Sequence, residues 1–208
     1  MSKRWKLLGA SLVVVLAIGG SIHLATQADA AGPNLLGTAG FESPVVASAS
    51  ARFELGNTIG LCKPGTPANV PQNGCWTVAW GNVDLWHGST ITPKGGTQYL
   101  ELNGTQIGMV AQSVKVAANT RYELIYWSRS GSTGAMAVRA SIYWYRSDGN
   151  IITSTPLVSQ PVDATWRQYV ITSQSPANAV LARIYLRSDT EIARGIGPLV
   201  DQVTFRTA

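Results

Sequence analysis

The sequence predicts an all-β domain of two packed antiparallel sheets, preceded by an export signal that is removed. Three observations carry that expectation. Short apolar stretches alternate with turn residues along most of the chain, helical periodicity is almost absent, and several stretches alternate strictly between core-type and polar positions. Tyr122, Leu124 and Tyr126 alternate with Arg121, Glu123, Ile125 and Trp127. Val138, Ala140, Ile142 and Trp144 alternate with Arg139, Ser141, Tyr143 and Tyr145, and Val180, Ala182, Ile184 and Leu186 with Leu181, Arg183, Tyr185 and Arg187. Successive side chains of a strand point to opposite faces, so this period sets one face on a core and leaves the other partly open. About ten such strands without crossover helices are best accommodated as two sheets packed face to face.

The N-terminus reads differently from the rest. Lys3, Arg4 and Lys6 precede an uncharged run from Leu7 to Ile22, and Ala28-Asp29-Ala30 sets small residues where a signal peptidase reads. A positive end, an apolar middle and a small-x-small exit are the three parts of a secretory signal. The alternative, an uncleaved membrane anchor, calls for roughly 20 apolar residues, and this run is shorter. Cleavage is expected after Ala30, so residues 1–30 form the signal and residues 31–208 one domain large enough for a sizeable core. No second apolar run and no C-terminal anchor follow, so the product is expected to be secreted, extracellular, free of the membrane and monomeric.

Removing the signal lowers the formal charge from +5 to +3. The remaining basic residues are scattered, which gives no support for nucleic acid and only weak support for an acidic partner. Cys62 and Cys75 are the only cysteines, and the segment between them is rich in Gly, Pro and Asn. In an oxidising compartment such a pair is expected to form a disulfide, whereas metal or redox roles need closer spacing or a His partner.

The strands are expected at Trp76–Trp80, Val83–Trp86, Thr97–Leu102, Met109–Val116, Thr120–Arg129, Ala135–Arg146, Asn150–Thr153, Trp166–Thr172, Ala179–Arg187 and Leu199–Arg206. Gly81-Asn82, Asn103-Gly104 and Ser147-Asp148-Gly149 separate consecutive members as turns.

Small motifs in a particular order add a family resemblance. Asn34-Leu35-Leu36 followed by Gly40-Phe41-Glu42-Ser43-Pro44 resembles the opening of secreted galactose-binding-like domains, with Thr38-Ala39 where an Asn is usual. Trp76-Thr77-Val78 with Gly81 to Trp86, Gly95 to Gly104, Ala111-Gln112-Ser113-Val114, Thr120 to Leu124, Trp166 with Val170, and Gly197 to Val203 are similar to the later blocks. The family comprises carbohydrate-binding modules of the CenC type and the related choice-of-anchor and DUF642-like domains, and the resemblance spans nearly all of residues 34–206. It implies a jelly-roll β-sandwich and non-catalytic binding of a polysaccharide or cell-wall glycan. It also implies a structural Ca²⁺ between the first and last strands, held by Glu42 and Asp201, since hard carboxylate oxygens suit that ion. The other reading of Asp201 is that it bonds the backbone amides of a neighbouring turn.

A sugar site needs flat apolar surfaces for pyranose faces and planar hydrogen-bonding groups around them. The non-core positions of three strands offer both: Trp127 and Arg129, then Arg139, Tyr143 and Tyr145, then Arg183, Tyr185 and Arg187. Arginine adds bidentate pairing with carboxylates, so a neutral or an acidic polymer would suit. Ordinary cross-strand pairs on an exposed sheet would look the same. Trp80, Trp86 and Tyr99 form a second cluster, for which burial in the core is the expected role.

Catalytic patterns are weak. His87 has Asp84 and Ser89 close in sequence, but a Ser-His-Asp triad is a matter of geometry, and no nucleophile motif accompanies it. Glycoside hydrolysis requires two carboxylates facing each other across a cleft, and nothing in the spacing of Glu54, Asp84, Glu101 and Glu123 selects a pair. Three functions therefore remain: a free-standing glycan-binding module, a small secreted polysaccharide hydrolase, or a structural or adhesion domain with a protein partner.

Overall fold

The computed structural model describes residues 31–47, 52–55, 60–61, 74–88, 90–103, 106–189 and 196–208, with backbone only for 52–55 and 60–61. The described residues form thirteen strands and no helix. In chain order these are β1 (Arg52–Leu55), β2 (Gly60–Leu61), β3 (Trp76–Trp80), β4 (Val83–His87), β5 (Gln98–Glu101), β6 (Met109–Lys115), β7 (Arg121–Ser130), β8 (Met136–Tyr145), β9 (Ile151–Ser154), β10 (Val158–Val162), β11 (Arg167–Gln174), β12 (Leu181–Ser188) and β13 (Pro198–Thr207). One sheet has the spatial order β1-β4-β5-β13-β7-β11, and the other β10-β8-β12-β6-β3-β2, with β9 continuing the edge beside β8. All of the pairings are antiparallel. This is the jelly-roll β-sandwich expected from the sequence.

The alternating strands place their side chains as expected. Tyr122, Leu124 and Tyr126 of β7 and Val138, Ala140, Ile142 and Trp144 of β8 are buried, and Ala182, Ile184 and Leu186 of β12 join them. Val180 departs from the pattern, being exposed just outside β12. An aromatic group ties the two sheets together. Tyr122 and Phe205 stack at 5.0 Å within one sheet, and Trp144 of the other meets them at 5.8 and 6.3 Å. Offset and tilted ring contacts of this kind add to the gain from burial itself.

Three strands were not expected. β1 and β2 are short and both precede the Cys-containing segment, and β10 carries Pro161 on a sheet edge, where a missing N–H costs no ladder bond. The turn residues also act differently from simple hairpin makers. Gly81-Asn82 lies where the chain crosses from one sheet to the other, as does Asn103, whose partner Gly104 lies outside the described residues, whereas Ser147-Asp148-Gly149 closes the β8–β9 hairpin. At Gly81 φ is +61° and a Cβ would lie 1.9 Å from the Ile107 carbonyl oxygen, so the corner admits no side chain.

The segment before β1 is pinned by side-chain amides, of which those of Gln98 and Gln112 are buried. Asn34 donates to Val203 O at 3.1 Å and accepts from Phe205 N at 2.9 Å. Gln112 takes both backbone groups of Gly37 at 2.9 and 3.0 Å, and Gln98 donates to Phe41 O and accepts from Val46 N. A third layer covers the outer face of the six-stranded sheet. Ile91, Tyr99 and Leu199 are buried there, with Trp86, Trp166 and Ile196 packed against them.

Trp144→Ala would empty the centre of the aromatic group. We expect a loss of about 3–5 kcal/mol in urea unfolding, against a change within about 0.5 kcal/mol for Val170→Ala on the exposed surface.

Candidate functional site

The non-core face of the seven-stranded sheet holds an open pocket of about 300 Å³. Its lining comes from Met109 of β6, Arg139, Ser141, Tyr143 and Tyr145 of β8, Tyr185 and Arg187 of β12, Ile151 of β9, and Leu157 between β9 and β10. Pairing of β12 with β8 runs without a bulge from Leu181↔Tyr145 to Ser188↔Val138, which sets Arg183 opposite Tyr143, Tyr185 opposite Ser141, and Arg187 opposite Arg139. Residues directly opposite share a face, so strand geometry alone assembles this group.

Within the pocket the tyrosines form an aromatic wall. The rings of Tyr143 and Tyr185 meet edge to face at 5.0 Å, and the Tyr185 and Tyr145 hydroxyls hydrogen-bond. Burial, with that bond, pushes the Tyr185 phenol up to about 12, so it stays neutral across the physiological range. Arg139 is held by Asp189, Nε to Oδ1 at 2.5 Å. Burial works against the Asp189 charge, but hydrogen bonds from Ser159 and Arg139 keep its carboxyl below the usual range. Of the buried polar atoms on the pocket lining, Ser141 Oγ and Arg187 Nε have no hydrogen-bond partner among the described residues, and Arg139 Nε has none beyond its close ionic contact with Asp189. Exposed Ile151 and Leu157 form an apolar rim.

The sequence-predicted set is therefore divided. Arg139, Tyr143, Tyr145, Tyr185 and Arg187 line the pocket together. Arg183 lies on the same face beside it, its guanidinium 5.2 Å from the Tyr185 ring centre. Trp127 and Arg129 do not join them, because β7 belongs to the other sheet and presents its non-core side to the opposite surface. There Lys94 Nζ sits 3.8 Å over the Trp127 ring, and Arg129 lies 6.0 Å from Trp166. Alternation gives the phase of a strand but not the sheet it enters, which is why the three strands looked equivalent.

Trp80 is a second correction. It is 62% exposed rather than in the core, and it pairs with Met109 on the pocket side of the sheet after a bulge in β3. Tyr99 is fully buried, and Trp86 is half-buried with its indole N–H donated to Glu101 at 2.7 Å. Trp80 belongs to β3 of the seven-stranded sheet, whereas Trp86 and Tyr99 belong to β4 and β5 of the six-stranded sheet, and nothing in the local sequence marks the bulge in β3.

Glu42 and Asp201 do approach the same loop, residues 94–98. Asp201 follows the β13–β7 pairing up to a bulge at Gln202, where φ is +47°. Its Oδ2 accepts from Lys94 N at 2.8 Å and Gly95 N at 3.0 Å, and its Oδ1 from Gln202 N at 2.7 Å. Glu42 accepts from the Thr97 amide and hydroxyl and from Gln98 N at 2.8–3.1 Å. Gly96, with φ +65°, leaves room for this, since a Cβ there would lie 2.2 Å from Glu42 Oε1. Both carboxylates thus face amide donors, an arrangement that fits the turn-bonding reading of Asp201; a Ca²⁺ ion would compete for the same lone pairs. No group of three or more His, Cys, Asp or Glu suited to a metal occurs among the described residues.

The remaining candidates are apart or enclosed. Asp84 and His87 stand an odd number of positions apart on β4 and so point to opposite faces, and Ser89 lies outside the described residues. Asp84 and Glu101 are opposite each other in register but buried, at 0% and 2% exposure. Glu101 is bound by the Trp86 indole and by Gly197 N, and Glu123 pairs with Arg206 at 3.3 Å. The Glu54 side chain and Cys62 lie outside the described residues.

No protein-family model matches the chain. No curated protein matches it either. Among solved structures, it is similar to the CBM22-1 xylan-binding domain from Paenibacillus barcinonensis Xyn10C, at 14% identity over 78% of this chain and 97% of that one, TM-score 0.49. It is similar to TmCBM61, solved in complex with beta-1,4-galactotriose, at 13% identity over 84% of this chain and 99% of that one, TM-score 0.49. The enzymatically active domain of tailspike protein 4 from bacteriophage CBA120 is similar at 14% identity over 84% of this chain but only 21% of that one, TM-score 0.47. A fold hosts many unrelated sites, so the ligand must be argued from the surface itself.

Burial raises the Asp201 carboxyl to about 7, with three amide N–H groups opposing and the Glu42 charge adding to the rise. The folded state then holds this proton more tightly than the unfolded chain does. Its stabilising effect is complete below the ordinary carboxylate range and is lost as pH rises through about 7. We expect Tm to fall between pH 5 and pH 8, with a flatter profile in Asp201→Asn. EDTA is expected to leave Tm unchanged at either pH; a drop in Tm on chelation would show that a cation holds the loop instead.

Proposed function

We propose that the protein is a secreted, non-catalytic carbohydrate-binding domain of the CenC-type, choice-of-anchor and DUF642-like group, and that its ligand is a polysaccharide or cell-wall glycan. The observation that carries this is the pocket wall of Tyr143, Tyr145 and Tyr185 set among arginines on an open sheet face. Aromatic rings offer flat apolar surfaces, and fixed guanidinium donors beside them orient hydroxyls, the combination that polar yet C–H-rich sugar rings require. Trp80 extends the same face beyond Met109, so that a polymer lying across the strands meets aromatic surface at more than one sugar.

Binding without chemistry is supported by the state of the carboxylates. Those with described side chains that could form a facing pair are buried or engaged, and none lines the pocket. Export is supported by the N-terminal signal pattern and by the chain beyond it: the Gly32 amide donates to Thr207 O at 3.1 Å, so the fold takes up the chain directly after the expected cleavage point. No helix among the described residues is long and apolar enough to cross a membrane. A Cys62–Cys75 disulfide belongs to the same reading, supported by Cys75 being buried and by no described cysteine being free. Closing a loop of that size would stabilise the fold by roughly 3 kcal/mol.

The test is retention of the purified protein on insoluble cellulose, xylan, chitin, β-glucan and cell wall, with reducing-sugar release followed in the same tubes. We expect retention on at least one polymer without sugar release. Tyr143→Ala and Tyr185→Ala should each weaken it about tenfold or more, Trp80→Ala should cost a smaller factor, and Trp127→Ala should change nothing. Sugar release, or a loss confined to Trp127→Ala, would count against the proposal.

A further inference from the structure

We infer that the pocket is built for a glycan that carries a carboxylate, a uronic-acid unit, and that Arg187 is the residue that receives it. The inference rests on the glycan-binding reading and adds the class of sugar. It begins with charge. Arg187 and Arg139 stand directly opposite each other on β12 and β8, both lining the pocket. Like charges in directly opposed positions repel, and a sheet normally avoids the pairing unless an anion intervenes. Here one anion does. Asp189 pairs with Arg139 at 2.5 Å and is further fixed by Ser159. No second carboxylate stands at ion-pair distance from Arg187 among the described residues, so the two cations share one counter-charge.

The hydrogen-bond inventory points the same way. Arg187 Nε is buried and has no acceptor among the described residues. A buried donor without an acceptor carries a desolvation cost that an incoming oxygen removes. Ser141 Oγ, also buried and unpartnered among the described residues, lies in the same pocket, and Tyr185, the cross-strand partner of Ser141, supplies a ring face next to it. A hydroxyl could satisfy one donor. A carboxylate satisfies the guanidinium fork bidentately, neutralises the second cation and leaves its pyranose ring against the tyrosines. Asp189 in this arrangement is a positioning residue: it holds Arg139 away from the incoming acid and leaves Arg187 as the receptor.

The experiment compares one polymer with and without its charge. Polygalacturonate, alginate and glucuronoxylan are each presented to the wild-type protein beside their carboxyl-reduced forms, with dextran sulfate as a polyanion of different geometry. We expect the acidic form of at least one polymer to bind about tenfold or more tightly than its reduced form, as loss of a charged hydrogen bond implies. That preference should fade as salt is raised, and dextran sulfate should not compete. Arg187→Gln should abolish the preference while leaving affinity for the reduced polymer unchanged, and Arg187→Lys should restore only part of it. Equal binding of acidic and reduced forms overturns the uronate inference and leaves the glycan reading standing. Equal competition by dextran sulfate overturns it as general charge attraction. Failure of every polymer, charged or neutral, overturns both. The ligand-side comparison needs no variant, so it stands even if Arg187→Gln folds poorly.

Discussion

Everything on the candidate face depends on the register between β8 and β12. Eight consecutive residue pairs, Leu181↔Tyr145 through Ser188↔Val138, run without a bulge. Side-chain direction in a strand has a period of two, so a slip of one residue would turn Arg183, Tyr185 and Arg187 of β12 inward and Ile184 and Leu186 outward. The core prevents it. Ile142 and Trp144 on β8 and Ile184 and Leu186 on β12 are fully or almost fully buried. The same hydrophobic burial that stabilises the sandwich thus fixes which polar groups meet on its outside. β6 continues the arrangement, pairing along β12 from Lys115 to Met109 and bringing Met109 to the pocket edge. Precision in the site is inherited from the core rather than from contacts within the site.

The two sides of the sandwich use their outer faces in opposite ways. On the six-stranded sheet, loop residues around Ile91 cover Tyr99 and Leu199, and Trp86 and Trp166 close the layer. β5 is consequently buried on both faces, which is why all four of its residues are inaccessible. Glu42 and Asp201 hold the covering loop by its amides. On the seven-stranded sheet no described segment covers β8 and β12, and their outer residues, apart from the buried Ser141, stay half-buried by packing on one another. The loop that seals one face and the absence of an equivalent on the described part of the other together determine where a ligand can approach.

Much of this was legible in the sequence. The strong alternations named the core positions of β7, β8 and β12, and the pocket residues followed as their complements. Two limits have physical causes. Alternation reports which way a side chain points relative to its own strand, and long-range pairing decides which sheet that strand enters, so Trp127 was grouped with residues on the far side of the sandwich. Bulges and edges leave still less trace. Trp80 reaches the surface through a bulge in β3, and β10 is an exposed edge strand whose Val-Ser-Gln-Pro-Val run lacks alternation. The ordered motifs behind the family resemblance tell about architecture. Asn34, Gln98 and Gln112, each within such a motif, spend their amide groups on backbone atoms of the N-terminal segment or of β13, and none of them reaches the pocket.

That separation bears on how the surface could have acquired its chemistry. A buried amide such as Gln98 satisfies donors and acceptors from Phe41, Pro44 and Val46 at once, so replacing it would leave several buried backbone groups unpaired. The outward positions of β8 and β12 carry no such obligation to the fold; their backbone bonds are made whatever the side chain. Arg139, Tyr143, Arg183, Tyr185 and Arg187 therefore occupy the positions where the sandwich constrains direction but not identity. Arg and Tyr at most such positions, including two arginines in direct opposition, is a costly choice for a surface that only needs to be soluble. Polar side chains such as Ser or Thr would meet that need without the repulsion. The cost is explained if the face answers to a ligand, and the residues that bear it most, Arg187 and Arg139, are the ones around which the ligand's own charge must be arranged.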